Sequence, residues 1–114
     1  MSRRDDRVSL VDMLIHAREA VDLSGQRSLK DLANDRVFQL AMQKLVEIVG
    51  EAANRVSQET QQAHPDIPWP RIIATRNRLA HGYDEVNLDI LWEIVETDLP
   101  PLIQQLEEIV GDEP

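Results

Sequence analysis

Eight residues, Arg76 to Tyr83 (RNRLAHGY), bring together a permanent cation, an amide, a titratable imidazole and a phenol. Arg76 stands five positions before His81, Asn77 follows the arginine, and the chain's only tyrosine, Tyr83, lies two past the histidine. Imidazole, with an ordinary pKa near 6.5, serves as general base or general acid at neutral pH. A guanidinium remains charged and presents a fork of donors that fits a phosphate. Together these groups suit phosphodiester chemistry. With ten arginines and three histidines in the chain, an Arg–His spacing alone carries little weight; the four-residue constellation carries more.

The elements that position this cluster are helical by periodicity. From about Arg7 to Leu23, the residues Leu10, Leu14, Ala17 and Val21 form a stripe widened by Val11 and Ile15, and Ser24-Gly25 is a natural stop. A long second helix is expected from Leu29 or Asp31 to Glu59. Val37, Ala41, Leu45, Ile48, Ala52 and Val56 line one side of it, and Leu40, Val46, Val49 and Ala53 widen that side, so more than one face should be contacted. The connector His64–Pro70 (HPDIPWP) breaks the pattern, with Pro70 suited to the first position of a third helix over about Pro70 to Ala80. Gly82 suits a left-handed cap behind it. Asn87 is a candidate N-cap for a fourth helix with Leu88, Leu91, Trp92, Val95 and Leu99 inward. Pro100-Pro101 should kink or restart that helix before Leu102, Ile103, Leu106 and Ile109 or Val110. The expected fold class is all-α: an up-down bundle of four to five antiparallel helices with short connections, spanning residues 1–114 as one domain.

On the third helix Arg76 lies four after Ile72 and three before Leu79, which predicts that it points inward with them. A charge there needs a partner, and Glu51 or Glu47 on the second helix is the expected one, Glu51 thereby supporting the site. Arg78 is expected to face water. Asn77 and His81 are four apart and should share a face. His16 reads as a residue on the polar flank of the first helix, His64 as part of the connector, and Trp69 and Trp92 as core or interface side chains.

Composition narrows the function further. The chain has 114 residues, 42% of them apolar and only 4% aromatic, so its core must be aliphatic. Without cysteine it has no disulfide, zinc-thiolate or thiol chemistry, which fits a reducing cytoplasm. No His or carboxylate spacing suggests a metal site, so no metal and no cofactor is expected. No apolar run approaches the roughly 20 residues of a membrane span, and MSRRDDRVSL is not followed by a signal-type apolar segment. The formal charge of −9 is uneven: residues 1–83 carry a net +1, whereas residues 84–114 hold ten acidic and no basic side chains. The C-terminal part should repel nucleic acid, or else face solvent or a basic partner, while a local basic site persists because screening acts beyond about 8 Å.

RNRLAHGY resembles the Arg-(four to six residues)-His motif of HEPN-domain ribonucleases. With the tyrosine it is similar to the HepT-like toxin group, whose pattern is Arg-Asn-x-x-x-His-x-Tyr. VGEAANRVS (Val49 to Ser57), HPDIPW and the acidic last helix follow in the order found in that group, so the resemblance runs from about Arg4 to Val110. It implies an all-α homodimer that cuts RNA without metal in a cleft between two motifs. It also implies a type VII-like toxin–antitoxin system, in which a MntA-type nucleotidyltransferase antitoxin transfers AMP onto the motif tyrosine. By position, Arg76 and His81 would be the catalytic pair, Asn77 a supporting residue and Tyr83 the AMPylation site. The competing expectation is a non-catalytic helical adaptor or substrate-binding subunit of a minimal nucleotidyltransferase.

Overall fold

A computed structural model describes residues 3–80 and 85–111, with residues 3 and 4 described by backbone alone. Among these the regular structure is helical: α1 (Arg3–Ser24), α2 (Leu29–Asn34), α3 (Arg36–Arg55), α4 (Gln58–Ala63), α5 (Trp69–Ile73), α6 (Thr75–Leu79), α7 (Leu88–Glu93) and α8 (Leu99–Val110). A π-helical turn, Ile94–Asp98, joins α7 to α8. The all-α bundle expected from the periodicity is therefore present. Its main members are α1, α3 and the α7–π–α8 run, with α5 and α6 packed on α3.

The core is aliphatic, as the scarcity of aromatic residues requires. Leu10, Met13, Leu14, Ala17 and Ala20 of α1 meet Met42, Val46, Val49, Ala52 and Ala53 of α3, and Leu99, Leu102, Leu106 and Val110 close it from α8. Each fully buried Leu or Met contributes about 1.5–3 kcal/mol through its removal from water. The alanines let the helix backbones approach.

The long second helix is divided. Asp35 is extended (φ −132°, ψ 103°) and its side chain accepts a hydrogen bond from Phe38 N–H, so it ends α2 and caps α3. Such local side-chain-to-backbone bonding competes with helix continuation. At the other end Val56 is extended and Ser57 caps α4. The inward face of α3 also differs from the expected one. Phe38, Met42, Val46 and Val49 are buried, whereas Val37 is 77% and Leu40 49% exposed, with Ala41, Leu45 and Ile48 half-buried. A helix apolar on two sides does not reveal by period which side meets its neighbours. On α1 the same ambiguity leaves Ile15 exposed, with Met13 and Ala20 inward.

Asp6 locks the start of α1 to the α3–α4 junction. Its carboxylate accepts from Ser57 N–H (2.9 Å), Ser57 Oγ (2.6 Å) and Thr60 Oγ1 (2.5 Å). Those bonds, the Ser57 and Thr60 hydroxyls foremost, hold its pKa below the ordinary 3.8 against the opposing effect of burial. In the C-terminal run Asn87 is the N-cap of α7, its Oδ1 accepting from Ile90 N–H at 3.1 Å, as expected. Pro100 and Pro101 produce the π turn. Lacking N–H groups, they leave the carbonyls of Glu96 and Thr97 without α-helical partners, and the turn widens so that Leu99 N–H bonds Ile94 O, five residues back.

Candidate active site

The segment that leads into the motif is an elbow. Pro68 precedes α5 and Pro70 occupies its second position, one later than expected. The Thr75 hydroxyl donates to Ile72 O at 2.6 Å, a back-bond that bends helices, and Ala74 (φ −79°, ψ 10°) separates α5 from α6. The elbow rests on α3 at Gly50. A β-carbon on Gly50 would lie 2.9 Å from Ile72 O and 3.2 Å from Thr75 Cβ, so only glycine permits this approach.

The bend changes the phase of α6 and with it the fate of both motif-helix arginines. Ile72, Thr75 and Leu79 are buried; Arg76 and Asn77 are exposed. Contrary to expectation, Arg76 does not point inward and forms no bridge to Glu51 or Glu47. Its side chain has no ion pair or hydrogen bond among the described residues. Glu51 is exposed, and Glu47 accepts a 3.1 Å bond from Gln43. Arg78, expected in water, is the embedded one, 17% exposed and 2.7 Å from Asp98 Oδ2. The periodicity argument failed because it ran an unbroken helix through Ala74.

His81, Gly82 and Tyr83 lie outside the described residues, so the expected histidine–asparagine face and the glycine cap are not part of this geometry. The chain on either side of them is pinned. Ala80 and Val86 form an antiparallel bridge, and Asn87 N–H donates to Leu79 O at 2.8 Å. Asn87 therefore ties the end of α6 to the start of α7. Beside Glu85 and Val86 opens a cleft of about 460 Å³, lined also by Arg36, Gln39, Leu40, Gln43 and Leu88.

Below the motif helix runs an ion-pair chain not foreseen from the sequence. Arg71 contacts Glu93 (3.1 Å) and Asp98 (3.2 Å), and Asp98 also receives Arg78. The Asp98 hydrogen bond and charge, with Glu93 beside it, raise the pKa of the Arg71 guanidinium above its already high value. The spacing of Arg71 and Arg78, seven apart on a segment otherwise short of acids, was the available signal.

The other candidates have structural settings. His16 Nδ1 lies 2.7 Å from Asp12 O, which makes it the donor, since a carbonyl only accepts. His64 caps α4 and its carbonyl accepts from Trp69 Nε1 at 3.0 Å. Trp69 is buried, and half-buried Trp92 packs edge-on against Phe38. Among the described residues no group of His, Asp or Glu is arranged to hold a metal ion, and no helix is long and apolar enough to cross a membrane.

An exposed Arg-Asn pair thus stands on a short helix braced from below, a few residues before His-Gly-Tyr in the sequence. The comparisons point to a ribonuclease family. The family model described as "Ribonuclease HepT-like" matches residues 13–109. Relatives include the probable ribonuclease HepT of Thermococcus cleftensis, 30% identical over 86% of this chain and 93% of that protein. A candidate RNase of Methanocaldococcus jannaschii, MJ0127, is 29% identical over 98% and 93%. Another, TTE0752 of Caldanaerobacter subterraneus subsp. tengcongensis, is 35% identical over 75% and 77%. No solved structure matches the chain with significance. With the family model spanning most of its length, the chain belongs to the HepT-like ribonuclease family.

Proposed function

We propose that this chain is a metal-independent endoribonuclease toxin, one HEPN-like domain acting as a homodimer in the cytoplasm. The observation that carries the reading is the presentation of Arg76: exposed, without a partner among the described residues, next to Asn77, and on a helix that ends two residues before His81 in the sequence. Cleavage without metal uses the ribose 2′-hydroxyl as nucleophile. A base removes its proton, the 2′-oxygen bonds to phosphorus, and the P–O5′ bond breaks as an acid protonates the leaving oxygen. The products are a 2′,3′-cyclic phosphate and a free 5′-hydroxyl. Arg76 grips the phosphate and offsets the charge that develops on it. His81 supplies proton transfer, worth typically 10²–10⁴-fold in rate. Asn77 orients the imidazole or the phosphate.

One chain holds one motif histidine, whereas the reaction needs a base and an acid. Two copies about a twofold axis supply both. The outward flank of α3, where Val37 and Leu40 stay exposed beside half-buried Ala41, Leu45 and Ile48, supports a partnered state. The cleft beside Glu85, with Arg36 on its wall, is the proposed path for RNA. Tyr83, two residues past His81, is the proposed AMPylation site for a MntA-type nucleotidyltransferase antitoxin. A nucleotide there places bulk and negative charge where RNA phosphate must sit.

The second reading, an adaptor for a nucleotidyltransferase, draws on the ten acids of residues 84–114, a segment without basic residues, and on the same apolar flank of α3. Expression of the chain alone in a bacterium separates the two. The toxin arrests growth, Arg76→Ala relieves the arrest, and Tyr83→Phe stays toxic while escaping the antitoxin. Arrest that persists unchanged in Arg76→Ala, or no arrest by the parent chain, supports the adaptor instead.

A further inference from the structure

The ion-pair chain beneath α6 is larger than a helix of five residues needs for attachment, and one of its anions sits at an unusual place in the backbone. Asp98 is the last residue of the π turn Ile94–Asp98. At about 100° per residue, positions five apart on an α-helix diverge by roughly 140°. A π turn, with its i to i+5 bonding, returns them to nearly one side. Glu93 and Asp98 are five apart, and Arg71 touches both. The turn created by Pro100-Pro101 thus aims Asp98 at the elbow. There Asp98 is 14% exposed and accepts from Arg71 Nε (3.2 Å) and Arg78 Nη1 (2.7 Å), the second being the shortest contact in the chain of pairs.

Arg71 belongs to α5 and Arg78 to the last turn of α6. One carboxylate therefore spans the bend at Ala74 and fixes the angle between the two helices. Arg78 follows Arg76 by two and precedes His81 by three. This end of α6 is also restrained by the Asn87 N–H bond to Leu79 O, from the start of α7, and by the Ala80–Val86 bridge. We propose that Asp98 is a positioning residue for the cleavage reaction: through Arg78 and Arg71 it sets the orientation of α6, and so the presentation of Arg76. This rests on the ribonuclease reading of the same site. Placement errors of about 1 Å at a catalytic group cost on the order of 100-fold in rate. Removing Asp98 leaves Arg78 without its partner and Arg71 with Glu93 alone, so the angle is free to relax.

The test compares Asp98→Ala and Asp98→Asn, the latter keeping an acceptor if the former does not fold, with Arg18→Met. Arg18→Met breaks a comparable 2.6 Å bridge between α1 and α8, remote from the elbow. Three quantities are read at a temperature where all variants are folded: kcat and KM on a defined RNA, and amide hydrogen exchange at Asn87. Loss of the Asp98 charge lowers kcat roughly 10- to 100-fold with KM within about twofold, and accelerates exchange at Asn87 about tenfold or more. Arg18→Met does neither. Asp98→Glu recovers part of the rate, as a carboxylate on a longer stem still reaches Arg78. Parental kcat in Asp98→Ala, or Asn87 exchange equal to that of Arg18→Met, overturns the proposal. If the parent chain leaves RNA intact, the nuclease reading fails on its own, and the exchange comparison still decides whether Asp98 holds α6.

Discussion

Arg76 and Arg78 are two positions apart and do opposite work. Arg78 is neutralised by Asp98 and gives rigidity; Arg76 keeps its charge available at the surface. Asp6, far from both, shows what a carboxylate does when its oxygens are filled by donors. Its folded pKa lies below the ordinary 3.8, so its stabilisation is complete above that value and disappears as the pH falls through the folded pKa. Asp6→Asn should therefore cost about 1–3 kcal/mol at pH 7. The gap between parent and variant should close as the pH drops from about 5 towards 2. Urea unfolding of both proteins across that range checks this; a gap that stays constant with pH would show that Asp6 acts through packing and not through its charge. None of this was visible in the sequence, where Asp6 is one acid among the arginines of the first turn and its partners lie more than 50 residues away.

At the scale of elements, the fold was legible where one local signal had no rival. The Asn87 cap and the apolar stripe of α8 stand where the pattern put them. Reading failed where two signals competed. Asp35 outbid a continuous apolar run and divided α2 from α3, and Thr75 bent α5–α6, reversing the roles of Arg76 and Arg78. Of the site, the motif itself could be read; its presentation could not, because that depends on the bend and on a π turn made by prolines twenty residues later. The elbow gives a direct prediction through Gly50. In an exposed helix, Gly→Ala gains about 1 kcal/mol. Here the added β-carbon meets the Ile72 carbonyl at 2.9 Å, a backbone atom with little freedom to yield. Overpacking costs about 1–3 kcal/mol, so Gly50→Ala should lower the melting temperature and, by displacing α5–α6, slow RNA cleavage about tenfold or more. A variant that melts higher than the parent at full activity would rule out the close approach as a constraint on the site.

The whole molecule is an acidic protein whose arginines and lysines all precede Asp84. The charge of −9 is concentrated from Asp84 onward, while Arg36 and Arg76 belong to the nearly balanced remainder and the cleft beside Glu85 is lined from both parts. For the proposed function, that division would let a local phosphate site survive in a field that repels RNA at longer range, and RNA binding should be sensitive to salt. In the proposed dimer, the exposed flank of α3 is the surface for the second copy, and hence for the second histidine. The account stands or falls on whether these parts act together as a nuclease. Its most direct test is incubation of the purified chain with total RNA and tRNA in EDTA, beside folded, dimeric His81→Ala. The account predicts that the parent cuts RNA to fragments with cyclic phosphate and 5′-hydroxyl ends, and that His81→Ala is slower by roughly 10²–10⁴-fold. Equal rates for the two proteins, or cutting abolished by EDTA, would contradict it.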